Sequence, residues 1–77
     1  MRKINALVAE VLRIKIADVN DETAMRVTSS WDSLSHMVMV AAVETEYNIT
    51  LSMDEMAEMT SLPSLRRVLV SHGVEFS

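Results

Sequence analysis

The chain has 77 residues, a net charge of −4, no cysteine, one glycine and one proline. A chain of this length builds a single small domain, which we place over residues 1–77. The lack of cysteine excludes disulfides and thiolate metal sites, and the scarcity of glycine and proline argues against a turn-rich β fold. No apolar run approaches the ~18 residues of a membrane span, and the first residues show no signal-peptide cleavage site. We therefore expect an all-α, cytoplasmic, monomeric protein.

The charges are segregated along the chain. No lysine or arginine lies between Val27 and Leu65. Six acidic residues lie in the same stretch: Asp32, Glu44, Glu46, Asp54, Glu55 and Glu58. An acidic surface repels the phosphates of nucleic acids and attracts basic proteins, so we expect protein partners and no nucleic acid. The alternative is a solvated face that only aids solubility.

The first helix is predicted over 2–16. Its apolar residues recur at the spacing of one helix face: Ile4, Leu7, Val8, Val11 and Leu12. The pattern is lost over 17–32, a long and mostly polar loop. Loops of this length are usually functional or tied down by their own apolar residues. We expect four such residues to enter the core: Val19, Met25, Val27 and Trp31.

Helical periodicity returns over 33–47, the predicted second helix. Asp32 is a suitable N-cap, and Asn48 a suitable stop. The predicted buried stripe comprises Leu34, Met37, Val40, Val43 and Tyr47. Leu34 lies in the first turn, where we expect it to be partly exposed.

Two further helices complete the prediction. After an extended connector at 49–51, Ser52 and Glu55 form a capping box that opens a short helix ending near residue 59. The fourth helix begins at 61–63 with proline in its first turn, and Gly73 fits the position after its end. The predicted architecture is a four-helix bundle, with three longer helices, one short helix and a long first loop.

Ser33 is the residue whose position indicates chemistry. It lies where the polar loop meets the second helix, in Trp31-Asp32-Ser33-Leu34. A helix N-terminus presents unpaired N–H groups and a partial positive charge, an environment that suits a phosphate diester on the serine oxygen. Leu34 is an apolar contact available to a docking enzyme.

In this register, Asp32-Ser33-Leu34 resembles the attachment motif of acyl and peptidyl carrier proteins, and the resemblance covers nearly the whole chain. It implies an acyl-carrier-like bundle in which a phosphopantetheinyl transferase, using Mg²⁺ and coenzyme A, attaches 4′-phosphopantetheine to Ser33. Asp32 and Leu34 would flank this cofactor. The arm's thiol would carry acyl groups as thioesters to acyl-loading and acyl-processing enzymes. The carrier itself is expected to be no enzyme, with no catalytic residue and no metal site.

The sequence departs from the fatty-acid type of carrier on the second helix. Ser35 and Val38 stand where that type carries acids, and Thr45 where an acid is common. These departures favour a specialised carrier. Its predicted partner-binding residues are Ser35, Val38, Ala41, Glu44, Thr45, Asp54, Glu55 and Glu58.

Two alternatives remain open at this stage. The cargo could be aminoacyl, D-alanyl or peptidyl instead of acyl, or Ser33 could stay unmodified in a helical interaction domain.

His36 lies one turn beyond Ser33 without a positioned second group for catalysis, so we expect a surface residue or a partner contact. Trp31 is expected to pin the loop onto the core. The many methionines fit either an adaptable acyl cavity or ordinary core packing.

Overall fold

The fold is a bundle of four α-helices. A computed structural model describes residues 3–74, and no strand occurs among them. The helices are α1 (Ile4–Leu12), α2 (Ser33–Tyr47), α3 (Met53–Glu58) and α4 (Leu62–Ser71). The all-α prediction, with three longer helices and one short helix, is confirmed. Of the predicted first helix and tail, residues 2 and 75–77 lie outside the described part of the chain.

Helix α1 ends earlier than predicted. Arg13 adopts the left-handed conformation, with φ of 58°, and the N–H of Ile14 bonds the Ala9 carbonyl at 3.0 Å. This geometry closes the last turn of a helix and turns the chain away. The following residues Ile16–Asp18 form a separate 3₁₀ turn. The apolar stripe of α1 is confirmed, with Ile4, Leu7, Val8 and Leu12 buried and Val11 packed against the core.

Helix α2 has the predicted bounds, and its predicted buried stripe is confirmed in part: Val40 and Val43 are buried, and Tyr47 packs against the core. Asp32 caps its start and Asn48, in the left-handed region, ends it. Leu34 and Met37, however, are 73% and 71% exposed, whereas Met39 is fully buried. Every position from 37 to 43 is apolar, so the sequence pattern alone does not select which side of the helix faces the core. Packing against α1 decides it.

The two short-range predictions for α3 and α4 are confirmed. Ser52 and Glu55 form a capping box at α3, and Ser61 forms a second one with Ser64 at α4. Gly73 follows α4 with a positive φ of 87°, a conformation that costs glycine little. These caps satisfy N–H groups that a helix start otherwise leaves unpaired.

The long loop is tied to the bundle by apolar side chains and by a backbone hydrogen bond. Val19 and Trp31 are buried, and Met25 packs against the core. The N–H of Met25 bonds the Thr60 carbonyl at 2.8 Å, so the loop also lies against the connection before α4. The prediction for Val27 is wrong, since it is 73% exposed. It lies within a turn in which Thr28 N–H bonds the Ala24 carbonyl, and this turn directs it outward.

The core lies between α1, α2 and α4 and is closed by loop residues. Its fully buried side chains are Trp31, Leu7, Leu12, Met39, Met59, Leu62, Leu65, Leu69, Val8 and Val43. Tyr47, expected in the core, is half-buried and packs against it. Within residues 3–74, no helix has the length and apolar character needed to cross a bilayer.

Candidate functional site

Ser33 is exposed and is the first residue of α2. The helix start beside it is held in place by Asp32, whose Oδ1 accepts a hydrogen bond from the Ser35 N–H at 2.8 Å. This bond lowers the pKa of Asp32 below its ordinary value, since it favours the carboxylate form. The Ser33 hydroxyl is therefore presented to solvent on a helix N-terminus whose geometry does not depend on Ser33 itself.

The side chains of α2 divide into three faces. At about 100° of rotation per residue, Met39 and Val43 point to the core. Ser33, Met37 and Val40 lie within roughly 60° of one another on a second face. The third face is centred roughly 110° from Ser33 and is exposed. It holds Leu34 and three of the predicted partner residues: Val38, Ala41 and Thr45.

The second face opens onto an apolar cleft between α2 and α3, which we call the α2–α3 cleft. Its volume is about 420 Å³. It is lined by His36, Met37, Val40, Met53, Met56, Ala57 and Thr60. Because Met37 lies one turn after Ser33 on the same face, the mouth of this cleft lies on the side of α2 that carries Ser33.

The methionines divide between the core and the α2–α3 cleft, so core packing is confirmed and the role in an acyl cavity stays a prediction. Met39 and Met59 are fully buried in the core. Met37 and Met53 are exposed at the rim of the α2–α3 cleft, and Met56 lies half-buried in its wall. Unbranched thioether side chains repack at little cost, so this cleft can adjust to what enters it.

His36 is half-buried and ties three elements together, so the expectation of a plain surface residue is wrong, whereas the expected partner contact stays a prediction. The indole Nε1–H of Trp31 donates to His36 Nδ1 at 3.1 Å. Since an indole N–H only donates, Nδ1 is the acceptor, and Nε2 carries the proton that it donates to the Met56 carbonyl at 2.7 Å. Both ring nitrogens are thus engaged. The imidazole joins the loop, α2 and α3 at the inner end of the cleft, and Trp31 anchors the loop as predicted.

A second concave surface, the α1–α2 groove, lies beside the third face of α2. Its volume is about 380 Å³. It is lined by Val11, Leu12, Arg13, Ser30, Asp32, Leu34, Ser35 and Val38. Three of the predicted binding residues, Leu34, Ser35 and Val38, therefore form one wall of a groove whose other wall is the end of α1. The sequence did not indicate this groove, because no local pattern pairs residues 11–13 with 34–38.

The predicted acidic partner residues differ in what they contact. Glu44 accepts a hydrogen bond from the Leu51 N–H at 2.9 Å. Glu55 accepts one from the Ser52 N–H at 2.9 Å and contacts His72 at 2.6 Å. The Ser52 N–H in particular lowers the pKa of Glu55. These two carboxylates stabilise the fold whatever else they bind.

The remaining two acids lie on the surface of α3. Glu58 pairs with Arg67 at 3.4 Å, with both side chains at least half exposed. Asp54 is exposed. Such exposed charges contribute little to stability, so they are available to a partner at small cost to the fold.

The polar loop segment around Asn20 is engaged in a local hydrogen bond and in an ion pair with α4. Asn20 Oδ1 accepts from the Glu22 N–H at 2.8 Å, and Asp21 pairs with Arg66 at 3.0 Å. Among residues 3–74, no group of three histidine or acidic side chains is placed to hold a metal ion.

Comparison with known proteins identifies the type of domain. No curated protein matches the chain in sequence. The family model described as the phosphopantetheine attachment site matches residues 2–69, a stretch that includes Ser33, both walls of the α2–α3 cleft and most of α4. The chain therefore belongs to the family of acyl-carrier-like domains that bear a covalently attached 4′-phosphopantetheine.

Proposed function

We propose that this chain is an acyl carrier protein that carries acyl groups as thioesters on a phosphopantetheine arm attached to Ser33. It presents them to partner enzymes of a fatty-acid, polyketide or related biosynthetic pathway. One observation carries this proposal: Ser33 lies on the same face of α2 onto which the apolar α2–α3 cleft opens. In this proposal residues 1–77 form one carrier domain, which acts as a monomer in the cytoplasm and has no catalysis of its own.

The residues around Ser33 fit the arm. Ser33 is exposed, so its hydroxyl is accessible to a transferase. The N–H groups of the first turn of α2 offer a favourable field to the phosphate of the arm. Asp32 already holds this turn through Ser35, so modification of Ser33 removes no bond that shapes the helix.

The attachment step follows from the chemistry of coenzyme A. The Ser33 hydroxyl oxygen bonds the phosphorus that bears the pantetheine, and the bond from that phosphorus to the bridging oxygen of the diphosphate breaks. The 3′,5′-bisphosphorylated adenosine leaves, and the hydroxyl proton passes to a base of the transferase. When bound, the arm supplies a thiol that forms thioesters, which this cysteine-free chain cannot supply itself.

The α2–α3 cleft favours an acyl cargo over an aminoacyl one. Its lining is mostly methionine, valine and alanine, and the one ring that could pair with a charged ammonium, His36, is engaged at both nitrogens. Burying an unpaired charge there is costly. An aminoacyl, D-alanyl or peptidyl carrier, and an interaction domain with unmodified Ser33, are the alternatives that experiment must separate from this proposal.

Partner enzymes are proposed to bind the exposed third face of α2, with acids on α3 assisting. Leu34 and Val38 supply apolar area at the centre. Asp54 and Glu58 are exposed on α3, and charges outside the apolar centre of an interface mainly set the association rate and its salt dependence.

The protein isolated from its own cell should carry its cargo. We expect its intact mass to exceed the sequence mass by ~340 Da for the arm, a phosphodiester modification, plus the mass of an acyl group. Hydroxylamine, which cleaves thioesters, should remove the second increment and leave the first. A hydroxylamine-released amino acid would favour the aminoacyl alternative, and a protein at its sequence mass would favour the unmodified interaction domain.

A further inference from the structure

We propose that the α1–α2 groove is the docking site of the phosphopantetheinyl transferase, which seats an apolar side chain in it and places a carboxylate against Arg13. This inference rests on the proposed attachment at Ser33. It assigns a partner-binding role to the end of α1, which neither the sequence pattern nor the family match points to.

The position of the groove selects this partner. Bond formation at the Ser33 oxygen needs reacting atoms ~3–3.5 Å apart. Asp32 and Leu34, the neighbours of Ser33, line the groove. A specific interface covers ~800 Å² on each partner, so an enzyme whose active site reaches Ser33 also covers the groove. Leu34 and Val38, 73% and 50% exposed, supply the apolar centre that dominates binding energy.

Arg13 determines the charge that the partner presents. Its side chain is exposed, and the structure gives it no ion pair within residues 3–74. The carboxylate of Asp32, which also lines the groove, already accepts a hydrogen bond from the Ser35 N–H. A guanidinium with five free N–H donors binds a carboxylate in a bidentate geometry. The complementary group on the transferase is therefore an acid.

The backbone of Arg13 supports a role beyond ending the helix. With φ of 58° it occupies a left-handed position where glycine is usual and where other residues cost ~1 kcal/mol or more. Arginine here carries this cost and provides a side chain at the edge of the groove.

Ser30 provides a second, independent indication of a ligand. Its Oγ is buried and has no hydrogen-bond partner among residues 3–74, the one side-chain oxygen there of which this is true. Ser30 lines the groove. Buried polar groups are nearly always paired in folded proteins, and a rotation of the Ser30 side chain that turns Oγ toward the groove lets a polar group of the partner pair with it.

The test uses the transferase that modifies the wild-type chain, purified by that activity. Its Kd is measured for carriers that also bear Ser33→Ala, so that no reaction occurs. We expect Arg13→Glu to raise Kd ~10-fold, because like charges then face each other, and Val38→Asp to raise it by a similar factor through the loss of apolar contact. The matched control Lys15→Glu makes the same charge change at an exposed residue outside the groove, and should stay within ~2-fold of wild type. With Ser33 restored, Arg13→Glu should raise KM and leave kcat within ~2-fold.

A further variant separates binding from folding. Arg13→Gly removes the guanidinium and suits the left-handed backbone, so its urea midpoint should equal or exceed that of wild type while its Kd rises ~3-fold. Equal effects of Arg13→Glu and Lys15→Glu, tighter binding by Arg13→Glu, or wild-type binding by Arg13→Gly would each overturn the inference. Failure of the proposed function is distinct, because the wild-type chain would then not be modified by any transferase.

Discussion

Replacing Trp31 with alanine should destabilise the protein more than any surface substitution. Trp31 is 1% exposed and holds the long loop against the core. Truncating a buried aromatic side chain costs ~3–5 kcal/mol, a large part of the ~5–15 kcal/mol that keeps a domain folded. Urea unfolding followed by circular dichroism measures the change as a lower midpoint.

A milder substitution measures the contribution of the hydrogen bond between Trp31 and His36. Trp31→Phe keeps an aromatic ring in the core but removes the N–H that His36 Nδ1 accepts. Loss of one such hydrogen bond costs ~0.5–1.5 kcal/mol, so this variant should lie between wild type and Trp31→Ala. An unchanged midpoint for Trp31→Ala would show that the loop is not anchored as described.

Loading with an octanoyl group should raise the thermal midpoint above that of the acetyl-loaded protein. The two cargoes differ by six methylene groups, and burial of one methylene stabilises by ~0.8 kcal/mol. The α2–α3 cleft is open on one side, so we expect about half of the full value, ~2 kcal/mol. For a domain of this size that corresponds to ~8–16 °C. Differential scanning calorimetry of the two loaded forms measures it.

Matched variants on two faces of α2 locate the cargo. Met37→Gln places a polar group at the rim of the α2–α3 cleft, and should reduce the gain that octanoyl gives over acetyl. Val38→Gln makes a similar change at an exposed apolar residue on the third face, and should leave that gain intact. A D-alanyl-loaded protein should resemble the acetyl form. If the octanoyl and D-alanyl forms melted at the same temperature, the cleft would not hold the cargo.

The helix boundaries could be predicted because their signals are local. Asp32, Ser52 and Ser61 each cap a helix through a backbone N–H three residues later. A cap of this kind depends on neighbouring residues alone, and is therefore readable in sequence. The early end of α1 was missed because arginine at position 13 carries no sequence signal for a left-handed turn.

The orientation of α2 could not be predicted in the same way. With apolar residues at every position from 37 to 43, several faces of the helix are equally apolar. Only packing in three dimensions places Met39 in the core and Met37 at the cleft. The excess of apolar residues reflects a helix that faces the core, a cleft and an open surface at once.

Ser33 was predicted as the attachment site from a short motif, whereas its surroundings required the structure. The hydrogen bonds from Trp31 to His36 and on to the Met56 carbonyl span three elements. Arg13 and the start of α2 line one groove because the fold places the end of α1 beside α2. Such contacts join residues far apart in sequence, and no spacing rule reveals them.

Intact mass after treatment with a phosphopantetheinyl transferase, coenzyme A and Mg²⁺ tests the central claim most directly. Wild type should gain ~340 Da, as expected for the phosphodiester-linked arm. Ser33→Ala should fold with wild-type stability, since Asp32 still caps α2, and gain nothing. Ser35→Ala, a matched change of a serine two residues away, should gain the full increment. A labelled Ser33→Ala protein, or a wild-type protein that no transferase labels, would contradict the account.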